Sequence, residues 1–249
     1  IDGPHRMRNR SRSQHVHPTR RRRSKNEQRH AAHLCTVFFP NQGEGTHQSR
    51  QLGRARRLGM TTALPSIRTA RLILRPFRSD DAALFAELNA DPRVTEFLPA
   101  PLTRAESDAV LHRIMTDATH HDLGPWAVEV PGTLSCGGFV GLWRPTFMAH
   151  FTPTVEIGWR LHPSLWGQGI ATEAAQAALR FGFAEVGLPL IHSFTVPANR
   201  RSLAVMHKVG LRPAEPPAFD HLRLPEGHPL RRHLLYQMTK EAWQTNHAT

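Results

Sequence analysis

Residues 166–172, "WGQGIAT", place two glycines at the entrance to a helix, an arrangement that could bind an anion. The strand-like segment "TVEIGWRL" (154–161) precedes them and an alanine-rich helical pattern follows. The first N–H groups of a helix have no partner within it and lie at the positive end of its dipole, so they attract phosphate. Gly167 and Gly169 lack the Cβ atoms that would hold a phosphate away. A tight turn needs the same residues, so the turn alone leaves both interpretations open.

Two common phosphate-binding motifs do not fit this turn. The chain contains no G-x-x-x-x-G-K-[ST] sequence, which excludes a P-loop. A dinucleotide fold would carry G-x-G-x-x-G after an early strand, whereas this turn has G-x-G-x-x-T in the second half of the chain.

A second group of polar residues follows about 25 positions later, in "NRRSLAVMHKVG" (199–210). Asn199 and Ser202 are three residues apart on this predicted helix and share a face. Asn199 also fits a helix N-cap, and both roles can hold at once.

The histidines near the end of the chain do not have metal-ligand spacing. We interpret them as surface residues or as residues of a substrate pocket and predict no metal site; they are His207, His221, His228 and His233.

The segments "VEIGWRLHPSLWGQGIATEA" and "NRRSLAVMHKVGL" strongly resemble the GNAT superfamily of acetyl-CoA-dependent N-acetyltransferases. The most similar branch is that of the ribosomal-protein N-terminal alanine/serine acetyltransferases. The resemblance runs from about Thr69 to Trp243. It implies an α/β GNAT fold, in which a mixed, mostly antiparallel central sheet is splayed at the acetyl-CoA cleft and flanked by helices.

The resemblance also implies which residues hold the acetyl donor. The turn would cradle the pyrophosphate of coenzyme A, with Trp166 in place of the usual first polar residue and with a hydroxyl from Thr172. The strand "EIGWRL" would offer backbone groups to the pantetheine arm. The predicted cofactor-binding residues are Trp159, Leu161, Trp166, Gly167, Gln168, Gly169, Ile170, Ala171, Thr172, Asn199 and Ser202. Trp159 and Trp126 also fit core positions.

Two catalytic candidates follow from the resemblance. Glu156 lies two residues before Gly158, where the family often splays two strands, and is the candidate base or the group that orients the amine. Ser202 is the candidate proton donor to the coenzyme A sulfur. Many relatives carry a Tyr four positions after this Ser; here Met206 stands in its place and cannot donate a proton. Arg200 and Arg201 could reach the 3′-phosphate or be solvated charges.

Acetyl transfer requires the attacking amine to be neutral. An α-amine with a pKa of about 7.7–8.0 is roughly one-tenth neutral at pH 7, whereas a lysine with a pKa of about 10.4 is almost entirely protonated. An α-amine therefore needs only a modest base, acting directly or through water.

Hydrophobic periodicity predicts the elements that position these residues. Strands are expected at 70–77, 125–130, 137–143, 154–161, 190–196 and 231–239, with one more near 212–215. Helices are expected from Asp80 or Asp81 to Asn89, over 103–121 with a capping box of Thr103 and Glu106, after the glycine turn, and over 199–210.

The net charge of +12 belongs almost entirely to residues 1–59, which carry 14 basic and three acidic residues. This segment has little to bury, so we expect disorder. It could be an Arg-rich arm that grips phosphates, a functionless extension, or sequence upstream of a natural start at Met60. We assign residues 60–249 to the acetyltransferase domain. That part is nearly neutral and has no net field to steer a polyanion.

These observations favour an N-acetyltransferase that moves acetyl from acetyl-CoA to a primary amine, either a protein N-terminal α-amine or a small-molecule amine. The alternative is a non-catalytic domain that binds or senses acyl-CoA, which Met206 favours. Nucleic acid is expected to bind only through residues 1–59. The two cysteines and the absence of a long apolar run favour a cytoplasmic protein without a membrane partner, as a monomer or homodimer.

Overall fold

The computed structural model describes residues 64–118 and 123–246. The predictions of disorder over residues 1–59 and of a start at Met60 lie outside these residues. The last positions of the helix predicted over 103–121 also lie outside them.

Eight strands form one open sheet in the order β1-β2-β3-β4-β5-β6-β8-β7. All neighbouring strands are antiparallel except β5 and β6, which are parallel. The predicted mixed, mostly antiparallel sheet is therefore confirmed. The strands are β1 (Ile67–Arg68), β2 (Ile73–Arg75), β3 (Pro125–Glu129), β4 (Gly138–Trp143), β5 (Val155–Leu161), β6 (Leu190–Thr195), β7 (Arg212–Asp220) and β8 (Arg232–Thr239).

Five α-helices accompany the sheet in the described part of the chain: α1 (Ala82–Ala90), α2 (Arg104–Ala118), α3 (Ile170–Arg180), α4 (Arg200–Lys208) and α5 (Lys240–Asn246). The predicted capping box at the start of α2 is present. The backbone N–H of Thr103 donates to Glu106 at 2.7 Å, and the N–H of Glu106 donates to Oγ1 of Thr103 at 3.3 Å. Helix α3 continues into a π-helical turn, Phe181–Val186.

Two strand predictions require correction. The strand expected at 70–77 is present but shorter, because the N–H of Thr69 donates to the carbonyl of Leu72 and the chain turns there to form a β1–β2 hairpin. The strand expected near 212–215 runs on to Asp220. It contains three prolines, which the sheet tolerates because β7 is an edge strand.

Alternation along β5 divides its side chains between the two faces of the sheet. Val155, Ile157 and Leu161 join the main core, together with apolar residues of α3 and α4. The opposite face is covered in two places. Helices α1 and α2 pack with residues of β3 and β4, and residues around Phe147 pack against β7 and β8.

The sheet opens between β5 and β6. Their register joins Val155 to Ile191 and Glu156 to His192, whereas β4 and β5 are paired along six positions. The two parallel strands therefore diverge beyond Glu156, near the middle of the sheet. This opening lies between the two covered patches of the second face.

Within the described residues, no helix has both the length and the apolar character needed to cross a lipid bilayer.

Candidate active site

A cavity of about 330 Å³ lies where β5 and β6 diverge. Its walls come from both faces of the sheet. The glycine turn, Asn199 and Ser202 line it from the face that carries α3 and α4, whereas Glu156 and two histidines line it from the other face. The opening thus connects a helix N-terminus on one side of the sheet with a carboxyl group on the other.

The glycine turn has the backbone conformation that its two glycines permit. Gly167 and Gly169 have φ values of +74° and +78°, in the left-handed region that other residues rarely adopt. A Cβ built on Gly167 would have no heavy atom within 4 Å, so the space beside it is open. Since α3 begins at Ile170, its first N–H groups follow this turn directly. The turn therefore leaves open space beside the first N–H groups of α3, the arrangement that an anion site requires.

Arg71 braces the turn from outside the cavity, a role that the sequence did not indicate. Its Nε contacts Oε2 of Glu173 at 2.6 Å, and its Nη1 donates to the carbonyl of Gln168 at 2.9 Å. Thr69 donates its hydroxyl to the same Glu173 carboxylate at 2.6 Å. The β1–β2 hairpin thereby fixes both the turn and the first turn of α3.

Replacing Arg71 with glutamine is expected to weaken acetyl-CoA binding about fivefold, close to the ~1 kcal/mol upper value for a partly exposed ion pair. The reason is that the Gln168 carbonyl loses its donor and the turn becomes less well ordered. Calorimetric titration with acetyl-CoA measures the change. Arg68→Gln removes the same charge from a neighbouring exposed position and serves as the control. Equal affinities for the two variants would contradict a bracing role for Arg71.

Glu156 is buried, with 4% of its surface exposed. Burial raises the pKa of its carboxyl to about 8, and a hydrogen bond from Trp143 partly opposes the increase. The Nε1–H of Trp143 donates to Oε2 of Glu156 at 2.9 Å. The two residues are direct partners in the β4–β5 register, which places their side chains on one face. At neutral pH most molecules therefore carry a proton on this carboxyl group.

Gly158 makes the Trp143–Glu156 contact possible. A Cβ at this position would lie 2.6 Å from Cη2 of Trp143, so any other residue would push the indole away. The glycine that the resemblance associated with splayed strands thus also leaves room for the hydrogen-bond donor to Glu156.

Asn199 is the N-cap of α4, as predicted. Its Oδ1 accepts the backbone N–H of Ser202 at 3.1 Å, and its Nδ2 donates to Oγ1 of Thr195 at 3.1 Å. The cap fixes α4 to the end of β6, and both Asn199 and Ser202 line the cavity.

The structure brings together all of the predicted cofactor-binding residues around the cavity except Gln168. The side chain of Gln168 donates instead to the carbonyl of Ser164. Trp166 donates its indole N–H to the carbonyl of Leu161 at 2.9 Å, and the guanidinium of Arg201 lies 4.2 Å from its ring centroid. Arg201 also pairs with Glu96 at 3.0 Å. Trp126 is fully buried, as predicted for a core residue.

The four late histidines separate into two groups. His221 and His233 line the cavity. His207 contacts the hydroxyl of Tyr236 at 3.2 Å, and His228 accepts the N–H of Leu230 at 3.1 Å, both away from it. In the described part of the chain, no three His, Cys, Asp or Glu side chains are grouped to hold a metal ion.

Comparison with known proteins agrees with this geometry. The family model described as "Acetyltransferase (GNAT) domain" matches residues 71–212, more than half of the chain. The chain belongs to the GNAT family. It is therefore an acetyl-transfer enzyme with a GNAT fold.

Individual GNAT relatives extend the comparison. The FsC-acetyl coenzyme A-N(2)-transacetylase of Aspergillus fumigatus is 31% identical, and the match covers 73% of this chain and 79% of the relative. A GNAT-family acetyltransferase from Bacillus anthracis is 27% identical with a TM-score of 0.59, covering 71% of this chain and 99% of that one. RimJ of Mycobacterium smegmatis, solved with CoA-disulfide, has the same fold at 22% identity and a TM-score of 0.57, covering 73% and 88%.

Proposed function

We propose that this GNAT enzyme transfers acetyl from acetyl-CoA to a primary amine, either a protein N-terminal α-amine or a small-molecule amine. The cavity that passes between β5 and β6 carries the proposal. It brings the glycine turn at the start of α3 together with the titratable carboxyl group of Glu156. The N(2)-transacetylase name of the fungal relative also supports nitrogen as the acetyl acceptor.

The residues that would hold the donor line the opening. The backbone from Trp166 to Thr172 would bind the diphosphate through N–H groups at the start of α3. Strand β5, with Trp159 and Leu161 on the cavity wall, would lie alongside the pantetheine arm. Backbone N–H groups near the opening could then stabilise the oxyanion that forms on the thioester carbonyl.

The reaction requires one proton to leave the amine and one to reach the sulfur. The amine nitrogen attacks the thioester carbon, the carbon–sulfur bond breaks, and the amide product retains the acetyl group. Glu156 in its ionised form would accept the proton of the amine, directly or through water. A base with a pKa of about 8 is well matched to an amine that titrates in the same range. Ser202 would donate a proton to the departing thiolate.

Replacing Ser202 with alanine is expected to lower kcat about tenfold and to change the KM for acetyl-CoA little. The effect is modest because a thiol with a pKa of about 8.5 is already a good leaving group and needs little help from an acid. Steady-state kinetics by thiol release measure it. The cap of α4 uses the backbone N–H of residue 202, so the variant keeps its fold. An unchanged kcat would remove Ser202 from the mechanism.

A thiol-release screen of acetyl-CoA against N-terminal peptides and small amines tests the proposal as a whole. Turnover with an amine, lost when Glu156 is replaced, supports the proposed acetyl transfer. Tight acetyl-CoA binding without turnover on any amine would favour the alternative of an acyl-CoA sensor. That alternative rests on Met206, whose side chain is buried in the core where many relatives carry a proton-donating Tyr.

A further inference from the structure

His233 lies on the same face of the sheet as Glu156. Glu156 is the register partner of His192 in β6, and Phe194 follows on the same face. Phe194 pairs with Leu235 of β8, and His233 is two residues from Leu235. Direct partners and alternate residues share a face, so Glu156, Phe194 and His233 all project to the side opposite α3.

The separation of Glu156 and His233 sets the length of a molecule that could touch both. They are two strands apart across the sheet and four residues apart along it, which places their Cα atoms roughly 16 Å from each other. Both residues line the same cavity. A substrate whose amine meets Glu156 therefore needs a chain of several bonds to reach His233.

His233 presents a hydrogen-bond acceptor to that cavity. Its Nδ1 lies 3.1 Å from the carbonyl of Arg231, which can only accept, so Nδ1 carries the proton and Nε2 the lone pair. Burial lowers the pKa of the imidazole, so the ring is neutral at physiological pH. Phe219 stacks on it at 5.4 Å between centroids and Phe194 meets it edge-on at 5.8 Å. The ring is therefore held in one orientation.

His221 packs against His233 in the cavity wall without adding charge. It is fully buried, its ring centroid lies 5.5 Å from that of His233, and it packs against Phe147 at 4.4 Å. Its Nδ1 accepts the N–H of Arg223. Burial, helped by His233 and Arg223, lowers its pKa to about 4.

The charges that line the cavity disfavour a substrate with two ammonium groups. Among the described residues, Glu156 is the one carboxyl group on the wall, and it is mostly protonated at neutral pH. The lining cations are Arg93, Arg160, Arg201 and Lys208. A second ammonium near His233 would lose water and find neutral imidazoles and aromatic rings, which is costly. The carboxylate that acts on the His233 imidazole, Asp220, is already paired with Arg231 and Arg232 and does not line the cavity.

We propose that His233 is a specificity-determining residue of the acetyl-acceptor site. Its Nε2 binds a neutral O–H or N–H group several bonds from the reacting amine, and the site rejects acceptors that carry a second positive charge there. This inference rests on the proposed amine acetylation. It assigns the substrate class as amines with a neutral polar tail, such as N-terminal peptides or amino amides, and excludes polyamines.

Three acceptors of equal length test the proposal: 2-aminoheptanamide, 6-hydroxynorleucinamide and lysinamide. Their α-amines are alike, and they end in a methyl, a hydroxyl and an ammonium group. We expect the hydroxyl compound to have about tenfold higher kcat/KM than the methyl compound, the size of one buried hydrogen bond. Lysinamide should be at least about tenfold worse than the methyl compound.

Two variants assign these differences to His233. His233→Phe keeps the ring shape without the lone pair and should remove the advantage of the hydroxyl compound. His233→Asp places a carboxylate there and should raise lysinamide relative to the other two. Acetyl-CoA affinity by calorimetry verifies that each variant is folded.

Other outcomes overturn the inference. Equal use of lysinamide by the wild-type enzyme, or a hydroxyl preference that persists in His233→Phe, would overturn it while leaving amine acetylation intact. No transfer to any of the three by protein that binds acetyl-CoA would overturn the amine assignment and this inference together.

Discussion

Replacing Glu156 with glutamine is expected to lower kcat/KM about 100-fold at pH 8, within the range of ~10²–10⁴ for general base catalysis. Glutamine has nearly the same shape and still accepts the hydrogen bond from Trp143, but it cannot take a proton. Thiol release with an amine acceptor measures the change. Calorimetry should give the same acetyl-CoA affinity for both proteins.

The pH dependence separates a base from a group that only orients the amine. A base must be ionised, and burial raises the pKa of Glu156 to about 8. The ratio of wild-type to variant kcat/KM should therefore rise with pH below about 8 and level off above it. The titration of the amine affects both proteins equally and cancels from this ratio. A ratio that is constant between pH 6 and 9 would show that Glu156 does not accept the proton.

Trp143→Phe provides an independent check on the same carboxyl group. The indole N–H stabilises the ionised form of Glu156 and so lowers its pKa. Without this donor the pKa should increase, and the pH at which the ratio levels off should move above 8. A shift to lower pH would contradict the hydrogen bond seen between these side chains.

Replacing Gly167 with valine is expected to weaken acetyl-CoA binding at least 100-fold. A β-branched residue at a φ of +74° is strained by about 1–2 kcal/mol, and its side chain would project beside the start of α3, where the diphosphate is proposed to bind. The strain lowers the stability of the fold, whereas the weaker binding comes from losing backbone hydrogen bonds to the charged diphosphate, about 1.5–3 kcal/mol each. Calorimetric titration with coenzyme A and acetyl-CoA measures the loss.

Gly187→Val is the matched control for this variant. Gly187 has a φ of +78° and open space around a hypothetical Cβ, as Gly167 has, but it follows the π-helical turn away from the cavity. Both variants should lower Tm by a similar amount, whereas only the change at Gly167 should weaken binding. Equal acetyl-CoA affinities would disprove the role of the turn.

The parts of the site that depend on residues close together in the chain could be predicted from the sequence. The glycine turn and the start of α3 follow from a strand-like segment, two glycines and an alanine pattern. The cap by Asn199 follows from its position before a helical pattern, and the capping box at Thr103 from its spacing to Glu106. Each is a contact across a few residues, so composition and spacing carry the information.

The parts that depend on strand register could not be predicted in this way. Trp143 meets Glu156 because β4 and β5 pair in one particular register. Arg71 reaches the turn because the β1–β2 hairpin lies beside α3, about 100 residues away in the chain. His233 joins the cavity through two successive strand pairings. The prolines of β7 also concealed its length, because the sequence does not indicate which strand lies at an edge.

The divergence of β5 and β6 leaves these two strands in register only at Val155–Ile191 and Glu156–His192. A thioester bound in the opening beyond these pairs would contact both strands. It could do so only in the folded chain. Binding of this kind stabilises the native state in proportion to the logarithm of ligand concentration. The supply of acetyl donor would then govern how long the protein survives heat or proteolysis, as well as how fast it works.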